Sequence, residues 1–349
     1  MWIFVLLYIV LVVIYISTIG RCQTYNRRLF QTIICTILLV CIQGFRHESI
    51  GIDSYNAYRP FYEMAASGFD SLFDFDDTLF GFESGFVFFT KLLKTIGVDT
   101  QLFIFLCSII SIVPISYLFF KHTDNIPLAF IIYVSFRLYH FGFSGIRQSI
   151  AIAITVIAFE FIVKKKPIGF IITTILASTI HTSAILFLIA YPLYHKLRLT
   201  PKRLLFVATI LVVGLFFLKP IVISVTSLIF GGEKYMNMLD SSTPSYNLML
   251  LLIVFLLFTY LSKDERLQPL RAMLLMAVVF QSLGLLSSAA SRMAFYFMPY
   301  ISVALPITTN TLKDRIVIEP LFIILFIILF FYFNGSGYLD VLPYKFYWE

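Results

Sequence analysis

The chain has 349 residues, of which 60% are hydrophobic and only 13% are charged. A soluble domain of this length would carry about 25% charged residues, so the composition excludes an ordinary soluble protein. The net charge of +7 does not indicate a nucleic-acid-binding surface, because the basic residues are not gathered in one soluble segment. No polar block is long enough to fold separately, so we expect residues 1–349 to form a single integral membrane domain.

Apolar runs of about 18 or more residues recur along the chain, and each is long enough to cross a hydrocarbon core. The first run, 1–19, lacks a basic n-region and an obvious cleavage site, which predicts a retained spanning helix rather than a signal peptide. The four cysteines lie in or beside apolar runs without paired spacing, so they predict neither a disulfide framework nor a zinc site.

The distribution of Lys and Arg predicts the topology, because these residues concentrate in cytoplasmic loops. Placing the N-terminus outside collects the main basic loops inside and gives an all-α polytopic protein of about twelve transmembrane helices. Within it, 167–195 must form two short helices or a re-entrant hairpin. The predicted helices are 1–19, 29–45, 101–120, 126–141, 146–163, 167–180, 182–195, 204–228, 246–262, 268–287, 293–310 and 316–333.

The longest non-spanning segment, 46–99, is predicted to lie outside. Its stretch 83–96 is apolar but short and carries two lysines, which favours a helix lying in the membrane interface. The acidic run around Asp74, Asp76 and Asp77 is either a site for a divalent cation or solvated surface. A second outer loop, 231–245, is rich in Gly, Ser and Pro and is a candidate mobile lid.

Ionisable side chains at membrane depth are costly and usually functional. On this topology they gather at the outer helix ends, which favours chemistry at one face of the membrane. By contrast, the acids Glu160 and Glu319 belong to the inner half, where both side chains can reach the headgroups. The outer set is Arg46, Asp53, Glu83, Arg137, His140, Arg147, Gln148, His181 and Arg292.

Arg147 and Gln148 begin a helix after a glycine-containing connection. A helix N-terminus favours an anion, and an arginine there adds a planar fork suited to phosphate oxygens. The alternative is an arginine that only extends to the headgroups. Arg292 follows small residues that permit close helix packing; it is either a second phosphate ligand or an interface anchor.

His181 lies between two short apolar helices, where it is either a structural hydrogen-bond donor or a group that exchanges protons near neutral pH. Asp53 is a second candidate base, just above the membrane after Gly51. It can equally orient Arg46, form a structural salt bridge or cap a helix.

Four sequence elements resemble the EpsG family, whose members are Wzy-like polymerases of bacterial exopolysaccharide, capsule and O-antigen synthesis. They are R-x(4)-G-x-D-x-Y-x(2)-Y (residues 46–58), F-E-S-G-F (82–86), G-I-R-Q-S-I-A-I-A-I (145–154) and S-x-x-H-x-S-A (178–184). The resemblance covers residues 40–195 well and the later helices, including 292–296, loosely. The I-R-Q-x-I-A element with the downstream histidine is its most specific part.

The resemblance implies a glycosyltransferase with a GT-C-like helical fold in the bacterial cytoplasmic membrane. It would transfer a growing glycan from undecaprenyl diphosphate to a hydroxyl of a new lipid-linked repeat unit at the outer face, without a cofactor or metal. Expected partners are the lipid-linked oligosaccharide, membrane lipid, a flippase and a chain-length regulator, but no nucleic acid. The alternatives are a flippase or other transporter, and an O-antigen ligase or acyltransferase.

Each candidate residue has an expected role in this chemistry. Arg147 and Arg292 would bind the diphosphate, with Arg46 as a third ligand and Gln148 beside them. Asp53 or His181 would be the acceptor base. Glu83 would bind sugar hydroxyls or support Arg46. The aromatic residues expected to contact sugars are Tyr55, Tyr58, Tyr139 and Tyr296.

Overall fold

The structure is a computed structural model with side chains. It describes residues 1–19, 23–75, 80–123, 125–204, 206–207, 209, 246–285, 291–334 and 338–349. The predicted helix 204–228 therefore lies almost entirely outside the described residues, as do the predicted lid 231–245 and two of the acids in the 74–77 run. Two compact units are present: unit 1 comprises 1–188 and 313–349, and unit 2 comprises 189–312.

The regular secondary structure in the described part of unit 1 is helical, apart from one isolated β-bridge between Arg46 and Phe346. A π-helical turn at Ser54–Tyr58 precedes the third α-helix. The α-helices are α1 (Trp2–Ile16), α2 (Tyr25–Gly44), α3 (Arg59–Met64), α4 (Ser84–Thr95), α5 (Thr100–His122), α6 (Ile126–Ser135), α7 (Leu138–Ser144), α8 (Ile146–Val163), α9 (Pro167–Ile180) and, after unit 2, α14 (Arg315–Asn334).

Local signals start and stop these helices. Thr24, Asp99 and Asn125 cap α2, α5 and α6 by accepting a backbone N–H with their side chains, as N-cap residues do. Pro167 opens α9, where its missing N–H costs no hydrogen bond. α6 is apolar on all sides and all ten of its residues are buried, as expected of a central helix. Around it pack α1, α2, α5, α7 and α14.

Among the residues that the structure describes, four helices are long and apolar enough to cross a membrane: α2, α5, α8 and α14. A fifth span is formed if α6 and α7, which meet at a bend of 54°, count as one. The all-helical, membrane-type fold is confirmed for the described residues. The count of twelve spans and the GT-C-like arrangement stay predictions. α4 is predicted correctly as a helix, and its 12 residues extend about 18 Å, too short to cross the bilayer.

Two acids, one on α8 and one on α14, lie on the side of unit 1 where α8 ends. Glu160, near its C-terminus, contacts Lys121 and His122 at the end of α5. Glu319 is 2% exposed and accepts hydrogen bonds from Tyr15 and Asn125, both at 2.9 Å. These partners hold Glu319 inside the protein, so the expectation that it extends to the headgroups is wrong. We call this side of unit 1 the Glu160 end.

The opposite side, which we call the Arg147 end, is closed by the C-terminal segment. His47 N–H donates to the Lys345 carbonyl and Tyr347 N–H to the Phe45 carbonyl, both at 2.9 Å. The Tyr344 hydroxyl donates to the Ile42 carbonyl at 2.6 Å. The bonds to the Phe45 and Ile42 carbonyls satisfy acceptors left open at the end of α2, and all three bonds fix the chain that leads into the π-helical turn.

Unit 2 is also helical in its described part. It contains α10 (Ala190–Lys196), α11 (Tyr246–Phe258), α12 (Leu267–Ser282) and α13 (Ile301–Asn310). Short 3-10 segments at Arg292–Tyr296 and Met298–Tyr300 pack on α12. The predicted helix 293–310 is therefore an α-helix only from Ile301 onward, with Pro299 in the last 3-10 segment before it.

Candidate active site

Glu83 is the centre of a polar cluster at the Arg147 end. One carboxylate oxygen, Oε2, pairs with Arg147 Nη1. The other, Oε1, accepts the Thr182 backbone N–H at 2.9 Å and lies 3.0 Å from His181 Nδ1. Tyr58 and Phe82 complete the group, which we call the Glu83 cluster. It joins four segments that are separate in sequence.

Local backbone geometry makes this convergence possible. Glu83 is the N-cap residue of α4, but its side chain does not cap the helix and is free to reach other elements. α9 ends at Ile180, and His181 is extended (φ −153°, ψ 113°) before a 3-10 segment begins at Thr182. The break turns the His181 side chain and the Thr182 N–H toward the same carboxylate oxygen.

Arg147 lies in the first turn of α8 and is held from three directions. Besides the pair with Glu83, its Nε donates to the Tyr58 hydroxyl at 3.4 Å, and its guanidinium lies 4.1 Å from the centre of the Phe82 ring. Phe82 and Tyr58 stack on each other at 5.4 Å. Arg147 Nη2 makes no hydrogen bond within the described residues, so this fixed cation keeps donors for a ligand.

The electrostatics of the cluster keep Glu83 ionised. Burial raises the pKa of the Glu83 carboxyl, but the hydrogen bonds from His181 and the Thr182 N–H, with the charge of Arg147, lower it to about 2. An ionised carboxylate can only accept hydrogen bonds, so His181 Nδ1 must be the donor. In the neutral imidazole this arrangement leaves Nε2 unprotonated, the form in which it can act as a base.

The pKa of Glu83 predicts a pH dependence of stability. Its folded value of about 2 lies below the ordinary 4.5, so the cluster contributes stability above pH 4.5 that is lost as pH falls toward 2. The shift corresponds to about 3 kcal/mol. Thermal unfolding in detergent should show Glu83→Gln less stable than wild type at neutral pH, with the difference vanishing near pH 2.

The control for this prediction is the exposed Glu63→Gln, which should show no such difference from wild type. A loss of stability in Glu83→Gln that stays the same at every pH would contradict the low pKa of Glu83.

Close packing of α4 on α9 sets the distance between Glu83 and His181. Gly85 lies against Thr179, and a Cβ at Gly85 would overlap the Thr179 side chain and come within 2.7 Å of its carbonyl oxygen. We expect Gly85→Ala to push the helices apart, to destabilise the protein by about 1–3 kcal/mol and to reduce activity. Exposed Ser84→Ala is the matched control. Wild-type activity and stability in Gly85→Ala would show that this contact does not position the cluster.

A family model of the EpsG family matches residues 29–346. The chain belongs to the EpsG family. The match extends over the later helices, well beyond the 40–195 region where the resemblance is clear from motifs alone. No curated protein and no solved structure matches the chain. Membership indicates a membrane-associated, polysaccharide polymerase-type role in exopolysaccharide synthesis, as expected of glycosyltransferase-like polymerases.

Arg46 occupies a different environment from Arg147 in this EpsG-family protein. It is 1% exposed and donates to the Gln43 carbonyl at 2.5 Å, the Phe143 carbonyl at 3.2 Å and the Ser54 hydroxyl at 3.4 Å. Burial lowers the pKa of its guanidinium to about 10. Arg46 thus ties the end of α2, the π-helical turn and α7 together, and its role as a phosphate ligand stays a prediction.

The second candidate base, Asp53, lies beside the cluster but not in it. Its backbone N–H donates to the Ser144 hydroxyl at 3.1 Å, and its charge is one of the influences that raise the pKa of Tyr58, after burial. Within the described residues its carboxylate forms no hydrogen bond. Tyr55, two residues on, is 50% exposed and available to a ligand.

Several other candidates are buried. Gln148 is 3% exposed, and Tyr139 and Tyr296 are fully buried. The Tyr139 hydroxyl donates to the Leu39 carbonyl at 2.7 Å, so in this conformation its ring is part of the core and presents no face to a sugar. The exposed Arg292 lies with Tyr296 in unit 2, so a joint action of Arg147 and Arg292 stays a prediction.

The acidic run beyond α3 gives no geometry for a cation. Asp74 lies 3.7 Å from Lys91 Nζ, and Asp76 and Asp77 are outside the described residues. Among the residues that the structure describes, no group of three His, Cys, Asp or Glu side chains is placed to hold a metal ion.

Phe82 and Thr182 are the parts of the cluster that sequence reasoning missed. Both are direct neighbours of chosen residues, in F-E-S-G-F and in S-x-x-H-x-S-A. Their positions beside an acid and a histidine are a usable signal, but neither residue type indicates chemistry by itself. Glu83 was expected to support Arg46 or bind sugar; the structure pairs it with Arg147.

Proposed function

We propose that this protein is a polysaccharide polymerase that transfers a growing undecaprenyl-diphosphate-linked glycan to a new lipid-linked repeat unit at the outer face of the cytoplasmic membrane. The supporting observation is the Glu83 cluster, in which one carboxylate holds both an arginine with an unused Nη2 and the Nδ1 of a histidine. The proposal includes a GT-C-like fold, delivery of units by a flippase, and a chain-length regulator as partner.

The donor's diphosphate would bind at Arg147. The first N–H groups of α8 have no partner in the helical ladder, because that ladder begins with Ser149 N–H donating to the Gly145 carbonyl. A helix start and a guanidinium together favour an anion. Negative charge on the diphosphate increases as it leaves the sugar, so donors fixed in advance stabilise the transition state more than the ground state.

The acceptor would be activated by His181. The acceptor hydroxyl oxygen forms a bond to the anomeric carbon of the donor sugar, while the bond from that carbon to the diphosphate oxygen breaks. The diphosphate leaves with the bonding electron pair, and the hydroxyl proton passes to His181 Nε2. Glu83 has an orienting role, since it fixes the tautomer and stabilises the imidazolium that forms, by the logic of an acid-histidine pair. This geometry favours His181 over Asp53 as the base.

The charge distribution supports an outer location for the cluster. Lys121, Lys164 to Lys166 and Arg315 belong to the Glu160 end, and an excess of basic residues marks the cytoplasmic side. The acids of that end already bind partners, Glu160 with Lys121 and His122. The wholly buried α6 adds no side chain that is charged at neutral pH. This pattern fits chemistry at one face better than transport of a saccharide through the unit.

Deletion of the gene, followed by analysis of lipid-linked glycans, tests the function. We expect single repeat units to accumulate and to be accessible from outside the membrane, because units would still be flipped but not joined. Units trapped inside would show that the protein is a flippase. Polymer that is made in normal amount but is not attached to its final acceptor would indicate a ligase.

A further inference from the structure

An open cleft of about 520 Å³ lies at the Arg147 end of unit 1, apart from the Glu83 cluster. It is formed where the end of α2, the end of α3, the start of α5 and the C-terminal segment meet. Its walls are polar apart from the buried Ile104. The side chains that matter here are Glu48, Glu63, Asp99, Gln101 and Tyr347.

The carboxylates of the cleft are each anchored by one oxygen. Glu48 Oε1 and Glu63 Oε1 bind Arg59 at 2.5 and 2.8 Å, and Asp99 Oδ1 accepts the Leu102 N–H at 2.7 Å. Their second oxygens make no hydrogen bond within the described residues. The cleft therefore presents acceptors whose positions are fixed before a ligand arrives, which reduces the ordering cost of binding.

Two further groups complete the wall. Gln101 donates its Nε2 to the Gly44 carbonyl at 2.7 Å, which orients its amide and leaves the amide oxygen as another acceptor. Tyr347 is 48% exposed, while its backbone is fixed by the bond to Phe45. An exposed, positioned tyrosine offers an apolar ring face beside a hydroxyl, the surface that the C–H face of a sugar ring covers.

The charge of the cleft limits its ligand. Three carboxylates and no Lys or Arg are among its described lining residues. The neighbouring Arg59 already pairs with Glu48 and Glu63, and Lys94 Nζ donates to the Glu63 carbonyl at 3.4 Å, so an anionic diphosphate is disfavoured. A bare cation also fits poorly, since the described residues hold no group of three acids or histidines close enough to bind one. Fixed acceptors around an aromatic face match an uncharged ligand rich in hydroxyl donors.

We propose that this cleft binds the sugar chain of the lipid-linked substrate, as a neutral-oligosaccharide subsite next to the reaction centre. The cleft is connected to the Glu83 cluster through α3. Tyr58, directly before α3, bonds to Arg147, and Glu63, one turn along α3, lines the cleft. This subsite rests on the proposed polymerase function and extends it. A protein that binds the glycan between transfers would add successive units to the same chain.

The test is titration of the full-length protein in detergent with oligosaccharide released by mild acid from the organism's own lipid-linked repeat units. Tyr347→Ala and Glu63→Gln should each weaken binding about tenfold, as expected for one lost stacking or hydrogen-bonding group. Tyr347→Phe, which keeps the ring, should bind nearly as wild type. Trp348→Ala is the matched control, since this neighbouring aromatic does not line the cleft, and it should leave the affinity unchanged.

Arg147→Lys separates the subsite from the polymerase function. It should bind the oligosaccharide with wild-type affinity although it no longer transfers glycan. Unchanged affinity in both Tyr347→Ala and Glu63→Gln, or no binding to the wild-type protein, would overturn the subsite and leave the polymerase function intact. Polymer of normal amount in the deletion strain would instead refute the function itself.

Discussion

Replacing Arg147 with lysine is expected to abolish polymer formation while the protein stays folded and inserted. Arg147 pairs with Glu83, donates to Tyr58, stacks on Phe82 and keeps Nη2 for a phosphate. A lysine ammonium can replace the pair with Glu83, but it is a point charge without the planar fork. Loss of a donor aimed at developing negative charge costs about 10²–10³-fold in rate. Gel analysis of lipid-linked glycans, with the protein quantified in the membrane fraction, measures the effect.

Arg266→Lys provides the matched control for this substitution. Arg266 is also paired with a carboxylate, Asp264 at 2.8 Å, but is 51% exposed and belongs to unit 2. Exposed pairs contribute at most about 1 kcal/mol, so polymer yield should not change. Normal polymer in the Arg147→Lys strain would remove Arg147 from the donor site.

Replacing His181 with glutamine is expected to slow transfer by about 10²–10⁴-fold, the usual contribution of a general base. Glutamine can still hydrogen-bond to Glu83 and so preserve the cluster, but it cannot take up the acceptor proton. The loss should therefore appear in kcat, with little change in KM for the lipid-linked substrate. Initial rates of polymer formation in membranes, measured against substrate concentration, separate the two quantities.

Asp53→Asn decides between the two candidate bases. It should retain most of the activity, because Asp53 contacts the Ser144 hydroxyl through its backbone N–H and stands outside the cluster. His195→Gln, in a histidine that packs on Tyr191 at 4.8 Å in unit 2, controls for loss of a histidine as such. An inactive Asp53→Asn beside an active His181→Gln would make Asp53 the base.

Helices were predictable where the sequence carries both an apolar run and a local stop. α8 and α9 have the predicted bounds, since Gly145 precedes one and Pro167 opens the other. The single helix predicted at 126–141 is instead broken, with Arg137 in a left-handed conformation (φ 66°). No proline or glycine marks that position, so the break depends on tertiary packing. The bounds of the short helices in unit 2 and the number of membrane spans also depend on long-range contacts, so the local sequence does not predict them.

The site was predictable in its members but not in its pairing. Hydropathy and charge place Glu83, Arg147 and His181 near one end of their helices, because buried ionisable groups without a role are eliminated by their cost. Glu83 and His181 are 98 residues apart, and only the packing of α4 on α9 brings them together. The same limit explains Arg46: its type suggested a phosphate ligand, and only the fold shows the carbonyls that surround it.

Purified protein in lipid vesicles, supplied with lipid-linked single repeat units, tests the central claim most directly. We expect glycans of two or more units, still attached to one lipid diphosphate, and one free lipid diphosphate released for each new linkage. Arg147→Lys vesicles should release none. Units that stay single while they move between the leaflets would contradict the claim that this protein joins them.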